Sequence, residues 1–120
     1  MMSNDVLHLA EKAFVNLNTE ALVSLYTDDF LFEDTSSGDR ITDKEELRRY
    51  FDRLFSMPDV YFSDVSFYHM GKKAAGRWTW GGSSLQSGQE YKIRGASLFE
   101  LEGNCIKEEV IFYDPRSAYS

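Results

Sequence analysis

Phe30-Leu31-Phe32-Glu33-Asp34 is the stretch on which the reading of this chain turns. Alternation with a period of two puts Asp34 on the same side of a strand as Phe30 and Phe32, so a carboxylate is directed toward apolar surroundings. On an interior side, desolvation disfavours the charged form and raises a carboxyl pKa, which makes an acid or base effective near neutrality. The segment points to a pocket with chemistry in it.

Upstream, Val6, Leu7, Ala10, Ala13, Phe14 and Leu17 form the stripe of a helix lying on a core, which Ser3, Asn4 or Asp5 can cap. A second short helix is expected from Thr19 to Tyr26, burying Leu22, Leu25 and Tyr26. Asp28-Asp29 then turns the chain into the strand. Downstream, residues 35–40 read as a polar loop, and Thr42 with Glu45 forms a capping box. The third helix it starts buries Leu47, Tyr50, Phe51, Leu54 and Phe55, with Pro58 beyond its end.

From Val60 the period changes to two in four runs, about 60–69, 73–81, 90–102 and 105–114. Met70-Gly71-Lys72 and Glu102-Gly103-Asn104 read as hairpin turns. The Gly-rich loop from Gly81 to Gln89 reads as the least ordered connection and a rim or lid for a cavity. Helices followed by an antiparallel meander define an α+β domain, three N-terminal helices covering one face of a curved sheet. With 120 residues and no linker, one domain spanning 1–120 is expected.

A net charge of −7, with basic residues interspersed among acids, argues against a nucleic-acid partner. The 15% aromatic and 42% apolar content is enough to line both a core and a cavity. Cys105 is the only cysteine, which excludes an intrachain disulfide and a paired metal site. No window approaches the roughly 20 apolar residues of a membrane span, and no basic-then-apolar leader is present, so a cytoplasmic location is expected. No HxxxH, CxxC or phosphate-binding glycine loop occurs, so neither a metal nor another cofactor is expected. His8 and His69 read as structural or solvated.

The order of elements resembles the nuclear transport factor 2-like superfamily, specifically its SnoaL-like polyketide cyclase and ketosteroid isomerase branch. The resemblance is carried by Leu25-Tyr26-Thr27-Asp28-Asp29-Phe30 leading to Asp34, by Arg77-Trp78-Thr79-Trp80, by Arg94-Gly95-Ala96-Ser97-Leu98-Phe99, and by the Gly103 to Asp114 segment. It implies a cystatin-like cone, in which the sheet closes against the helices around a cavity and its outer face forms a homodimer. It does not select a reaction, because isomerases, cyclases, hydrolases and binding modules share the cone.

By resemblance, Asp34 matches the general base of the isomerases; the plain alternative is an aspartate capping the turn at Thr35 or Ser36. The isomerases' oxyanion tyrosine and acid are replaced here by Ala13 and Ser97, which counts against steroid isomerisation. An epoxide-hydrolase pattern is likewise disfavoured, with Thr79 and Ile111 standing where acids are required. Asp114 is the nearest counterpart of the acid used by SnoaL-type cyclases, although it precedes Pro115 and can simply end the strand.

Alternation groups Glu109, Ile111 and Tyr113, and the resemblance turns that side inward, making Glu109 a second interior carboxylate opposite Asp34. Glu109 at a widened mouth, or Glu108 turned inward by a bulge, are the alternatives. Trp78 and Trp80 share a face suited to a flat ligand, with N–H groups for a carbonyl; Phe32, Tyr50, Phe51 and Ser97 extend the lining.

The expected ligand is a small hydrophobic organic molecule bearing a carbonyl or hydroxyl. If the chain is an enzyme, Asp34 shuttles the proton, Trp78 or Ser97 steadies oxygen, and Glu109 or Asp114 is the second acid–base group. A noncatalytic binding module is the rival, and interaction through an outer face carrying Lys92, Arg94 and Ala96 is a third possibility.

Overall fold

The computed structural model describes residues 5–120, and the capping role expected of Ser3 or Asn4 lies outside them. Helices α1 (Asp5–Val15) and α2 (Thr19–Val23) come first, followed by strands β1 (Tyr26–Asp34) and β2 (Asp39–Ile41), then helix α3 (Lys44–Phe55). Strands β3 (Tyr61–Met70), β4 (Lys73–Ser83), β5 (Glu90–Glu102) and β6 (Cys105–Phe112) follow, and a short helix α4 (Arg116–Tyr119) ends the chain. The architecture is α+β, with one six-stranded sheet ordered β2-β1-β6-β5-β4-β3.

The pairing is antiparallel except between β1 and β6, which run parallel with Phe32 opposite Glu109 and Asp34 opposite Ile111. The antiparallel meander expected from sequence is β3 to β6, and β1 adds in parallel on the far side of its last strand. Register shifts between Ser63 and Ser66, between Glu100 and Leu101, and between Tyr26 and Leu31 interrupt the ladders. Such irregularities bend strands, and here they accompany a sheet that curls around the helices.

Two local differences have simple physical causes. The second helix stops at Val23 and Tyr26 begins β1, so Asp28-Asp29 lies within the strand and not at a turn before it. Helix α3 is capped by Asp43, whose extended backbone places its carboxylate to accept from the Glu46 N–H at 3.0 Å, and not by Thr42. The hairpin turns behave as expected: Gly71 and Gly103 have φ of 63° and 61°, a region few side chains tolerate. The loop after β4 is tied down, with Ser84 N–H donating to Gln89, Gly88 N–H to Ser84 and Leu85 N–H to Ala118.

The core is built where α1, α2 and α3 meet the concave side of the sheet. Val6, Leu7, Leu22, Leu47, Phe30, Phe32, Phe51 and Ile106 are almost wholly buried there. Phe51 makes edge contacts with Phe14, Phe32 and Tyr50 and stacks on Phe55. This aromatic cluster fixes the helices over the sheet and forms the wall of the cavity described next.

Candidate functional site

Two spaces lie between the helices and the sheet. The inner one is a cavity of about 50 Å³, walled by aromatic and aliphatic side chains. The outer one is a hollow of about 550 Å³ that reaches from the turn after β1 to α4. Tyr50, Leu54, Trp80 and Tyr113 line both and therefore form the partition between them.

Glu109 is at the wall of the inner cavity and only 2% exposed. Its strand alternation turns it inward with Ile111, as the β6 burial pattern shows. Tyr26 donates its phenol O–H to Glu109 Oε1 at 2.5 Å. Trp78 donates its indole N–H to Ser97 Oγ at 2.9 Å, and the Ser97 hydroxyl in turn stabilises the Glu109 carboxylate. Burial outweighs both hydrogen bonds, and the Glu109 pKa is pushed up to about 7. No cation pairs with Glu109 among the described residues. Burial and the adjoining Glu109 hold the Tyr26 phenol well above its ordinary pKa, so it remains a donor.

Asp34 is also 2% exposed, and so is sheltered as its position among Phe30 and Phe32 predicts. Its electrostatics are the reverse of the expectation. Oδ1 accepts from the Ser36 N–H (3.0 Å), the Ser36 hydroxyl (2.9 Å) and the Ser37 N–H (3.3 Å), which is the turn-capping role. Oδ2 accepts from the hydroxyls of Tyr50 and Tyr113, both at 2.7 Å. Desolvation works to raise the pKa, but these hydrogen bonds outweigh it and hold the group below its ordinary value. Desolvation is incomplete because Asp34 lies close beneath the surface, at the wall of the outer hollow. Asp34 and Glu109 thus face different spaces, and the shared cavity expected from the sequence is divided by the two tyrosines.

Asp114 is placed elsewhere. Its side chain is 57% exposed, ion-paired with Arg116 at 2.6 Å, and lowered in pKa chiefly by that hydrogen bond. It lines a shallow external groove with Lys92 and Arg94, apart from both spaces. Strand β6 ends at Phe112, two residues before Asp114, so strand alternation stops short of it.

Phe32, Tyr50, Phe51, Trp78, Trp80, Ser97, Ile111 and Tyr113 all line the inner cavity. Tyr26, Phe67 and Phe99 line it too and were not singled out from sequence. Of the two indoles, Trp78 has its N–H committed to Ser97, whereas the Trp80 N–H has no partner among the described residues. The nearby Tyr91 hydroxyl is also unpartnered, its ring edge-on to Trp80 at 5.5 Å. No cluster of three or more His, Cys, Asp or Glu is placed to hold a metal among the described residues. No described helix is long and apolar enough to cross a membrane.

A curved six-stranded sheet packed against helices is the architecture of the nuclear transport factor 2-like fold. The sequence pattern of the SnoaL-like domain matches residues 6–109, and the chain belongs to that family. Among solved structures, a hypothetical protein of Catenulispora acidiphila with a ketosteroid isomerase-like fold, in complex with trimethylamine, superposes with a TM-score of 0.84. It is 19% identical, over 98% of this chain and 91% of the other. A nuclear transport factor 2-like protein of Burkholderia thailandensis also gives 0.84, at 15% identity over 98% and 95% of the two chains. A Pseudomonas putida protein provisionally assigned as a polyketide cyclase gives 0.80, at 16% identity and the same coverage. Likeness at these identities establishes the fold alone. No curated protein matches the sequence significantly.

Proposed function

We propose that this chain is a small-molecule pocket protein that binds a compact, largely apolar carbonyl compound in the inner cavity and exchanges a proton with it through Glu109. The carrying observation is a fully buried carboxyl at the wall of an aromatic cavity, with a pKa of about 7. A group of that pKa is present in both protonation states at neutrality, the condition for efficient proton transfer in either direction. In the proposed step the Glu109 carboxylate takes a proton from the carbon next to the carbonyl, and the electron pair moves onto the carbonyl oxygen. The resulting acid exchanges its proton with solvent, and a solvent-derived proton is then returned to carbon.

This assigns Glu109 the proton transfer expected of Asp34, whose carboxylate oxygens are already occupied by five donors. It also restricts the ligand. A space of about 50 Å³ admits a molecule of a few heavy atoms, not a fused-ring polyketide, in this conformation.

The test is hydrogen–deuterium exchange of acetone in D2O, followed by proton NMR. The native chain should accelerate exchange, Glu109→Gln should reduce the acceleration by roughly 10²-fold or more, and Asp34→Asn should retain most of it. Equal rates in native chain and Glu109→Gln contradict the proposal.

A noncatalytic binding module is the second reading, favoured by the tight closure of the cavity and by a neighbour of this fold that was solved with a compact amine. Binding of acetone without exchange would support it. For assembly, we infer a homodimer through the outer sheet face. There the cross-strand row Tyr68, Ala75, Leu98 and Val110 lies beside Ala96 and Phe112. Tyr68, Leu98 and Phe112 are among the exposed large apolar side chains.

A further inference from the structure

We propose that Asp34 is a positioning residue whose carboxylate ties Tyr50 and Tyr113 together as a releasable neck between the outer hollow and the inner cavity. Three observations converge on it. Both phenols donate to the same oxygen, Asp34 Oδ2, each at 2.7 Å, although they come from α3 and from the segment after β6. Both rings line the inner cavity and the outer hollow at once, so they stand in the partition. Asp34 itself lines only the outer hollow, and its other oxygen is anchored to the backbone of Ser36 and Ser37.

The anchoring separates a fixed part from a movable one. Oδ1 is held by the turn that follows β1, so the carboxylate stays in place whether or not the phenols are bound. Each tyrosine is attached to it by a single hydrogen bond, the tie that must break for its ring to move aside. Leu54 and Trp80, the other shared lining residues, have no hydrogen bond across the partition among the described residues. The two phenol contacts are therefore the polar restraints that must break for a molecule to pass from the hollow to Glu109. The size difference fits this arrangement: a hollow of about 550 Å³ collects a ligand, and a cavity of about 50 Å³ accepts only what the neck admits.

The inference rests on the inner cavity being the ligand site, but it does not depend on proton transfer at Glu109. Xenon is accordingly the probe, because it enters apolar cavities without engaging acid–base chemistry. Saturation-transfer NMR of dissolved 129Xe reads its exchange between cavity and solvent. Tyr50→Phe and Tyr113→Phe keep the rings and remove the hydroxyls, and Asp34→Asn removes the charged acceptor. Exchange should quicken in each of the three, reaching roughly a hundredfold or more in the double phenylalanine variant, the change that loss of two hydrogen bonds to a charged acceptor produces. Ile106→Val, a core change away from the partition, serves as the stability control; it should lower the melting temperature and leave xenon exchange unchanged. Equal exchange in the native chain and the folded double variant would overturn the proposal. So would comparable acceleration in Ile106→Val, or failure of xenon to enter the native cavity.

Discussion

Tyr26 and Glu109, 83 residues apart in the sequence, share a 2.5 Å hydrogen bond inside the aromatic cavity. Parallel pairing of β1 with β6 brings them together, since Tyr26 lies opposite Ile106 in that ladder. The phenol favours the ionised carboxylate, burial favours the neutral acid, and burial prevails. A carboxyl kept near neutrality by these opposing influences is the feature from which the function is inferred.

Stability should record that balance. A carboxyl whose folded pKa lies above its unfolded value of about 4.5 binds more protons in the folded state between the two values. Stability therefore falls as pH rises from 4.5 to about 7 and levels off beyond. The loss is on the order of 3 kcal/mol. Asp34 does not obscure it, because a lowered pKa makes its contribution vary only below about 3.8. Urea denaturation from pH 5 to 8 should show the decline in the native chain and a flatter profile in Glu109→Gln.

Ser97→Ala should destabilise the fold by about 1–3 kcal/mol, because the Trp78 N–H then loses its acceptor while remaining in the cavity wall. The same change should raise the Glu109 pKa further, since the serine hydroxyl favours the carboxylate. Chemical denaturation checks the first effect and a carboxyl titration the second.

Gly95 sits directly opposite Trp78 in the β4–β5 ladder. A Cβ placed there would come within 2.2 Å of the indole ring at Cη2, and a packed bicyclic ring cannot yield as a flexible chain end does. Gly95→Ala should therefore displace Trp78, break its bond to Ser97 and cost about 1–3 kcal/mol. A shift in tryptophan emission together with a lower melting temperature would report it.

Leu98→Arg should leave the fold intact, because the side chain is 53% exposed, and should convert a dimer to a monomer. Sedimentation equilibrium of the two chains decides between a lost interface and a face that never formed one.

Much of this was legible in the sequence, and the exceptions share a cause. Period-two spacing correctly turned Phe30, Phe32 and Asp34 to one buried side, and the α3 stripe placed Leu47 and Phe51 in the core. Tyr26 carried the same parity as Phe30, yet a helical reading of residues 19–26 concealed it, because Leu22, Leu25 and Tyr26 also fit a period near four. Strand β2 is three residues long and helix α4 four, both too short to establish a period. For Asp34, alternation predicted burial but could not predict the pKa. The donors from Tyr50 and Tyr113 come from residues 16 and 79 positions away, and only the folded chain brings them to one oxygen.

The most direct test is a pH titration of the Glu109 carboxyl carbon by 13C NMR, in a chain labelled at glutamate and assigned with Glu109→Gln. The account predicts a midpoint near 7, far above the other glutamates. A midpoint at or below the ordinary 4.5 would mean that Glu109 is a fixed anion, and the proposed proton exchange would have no carrier.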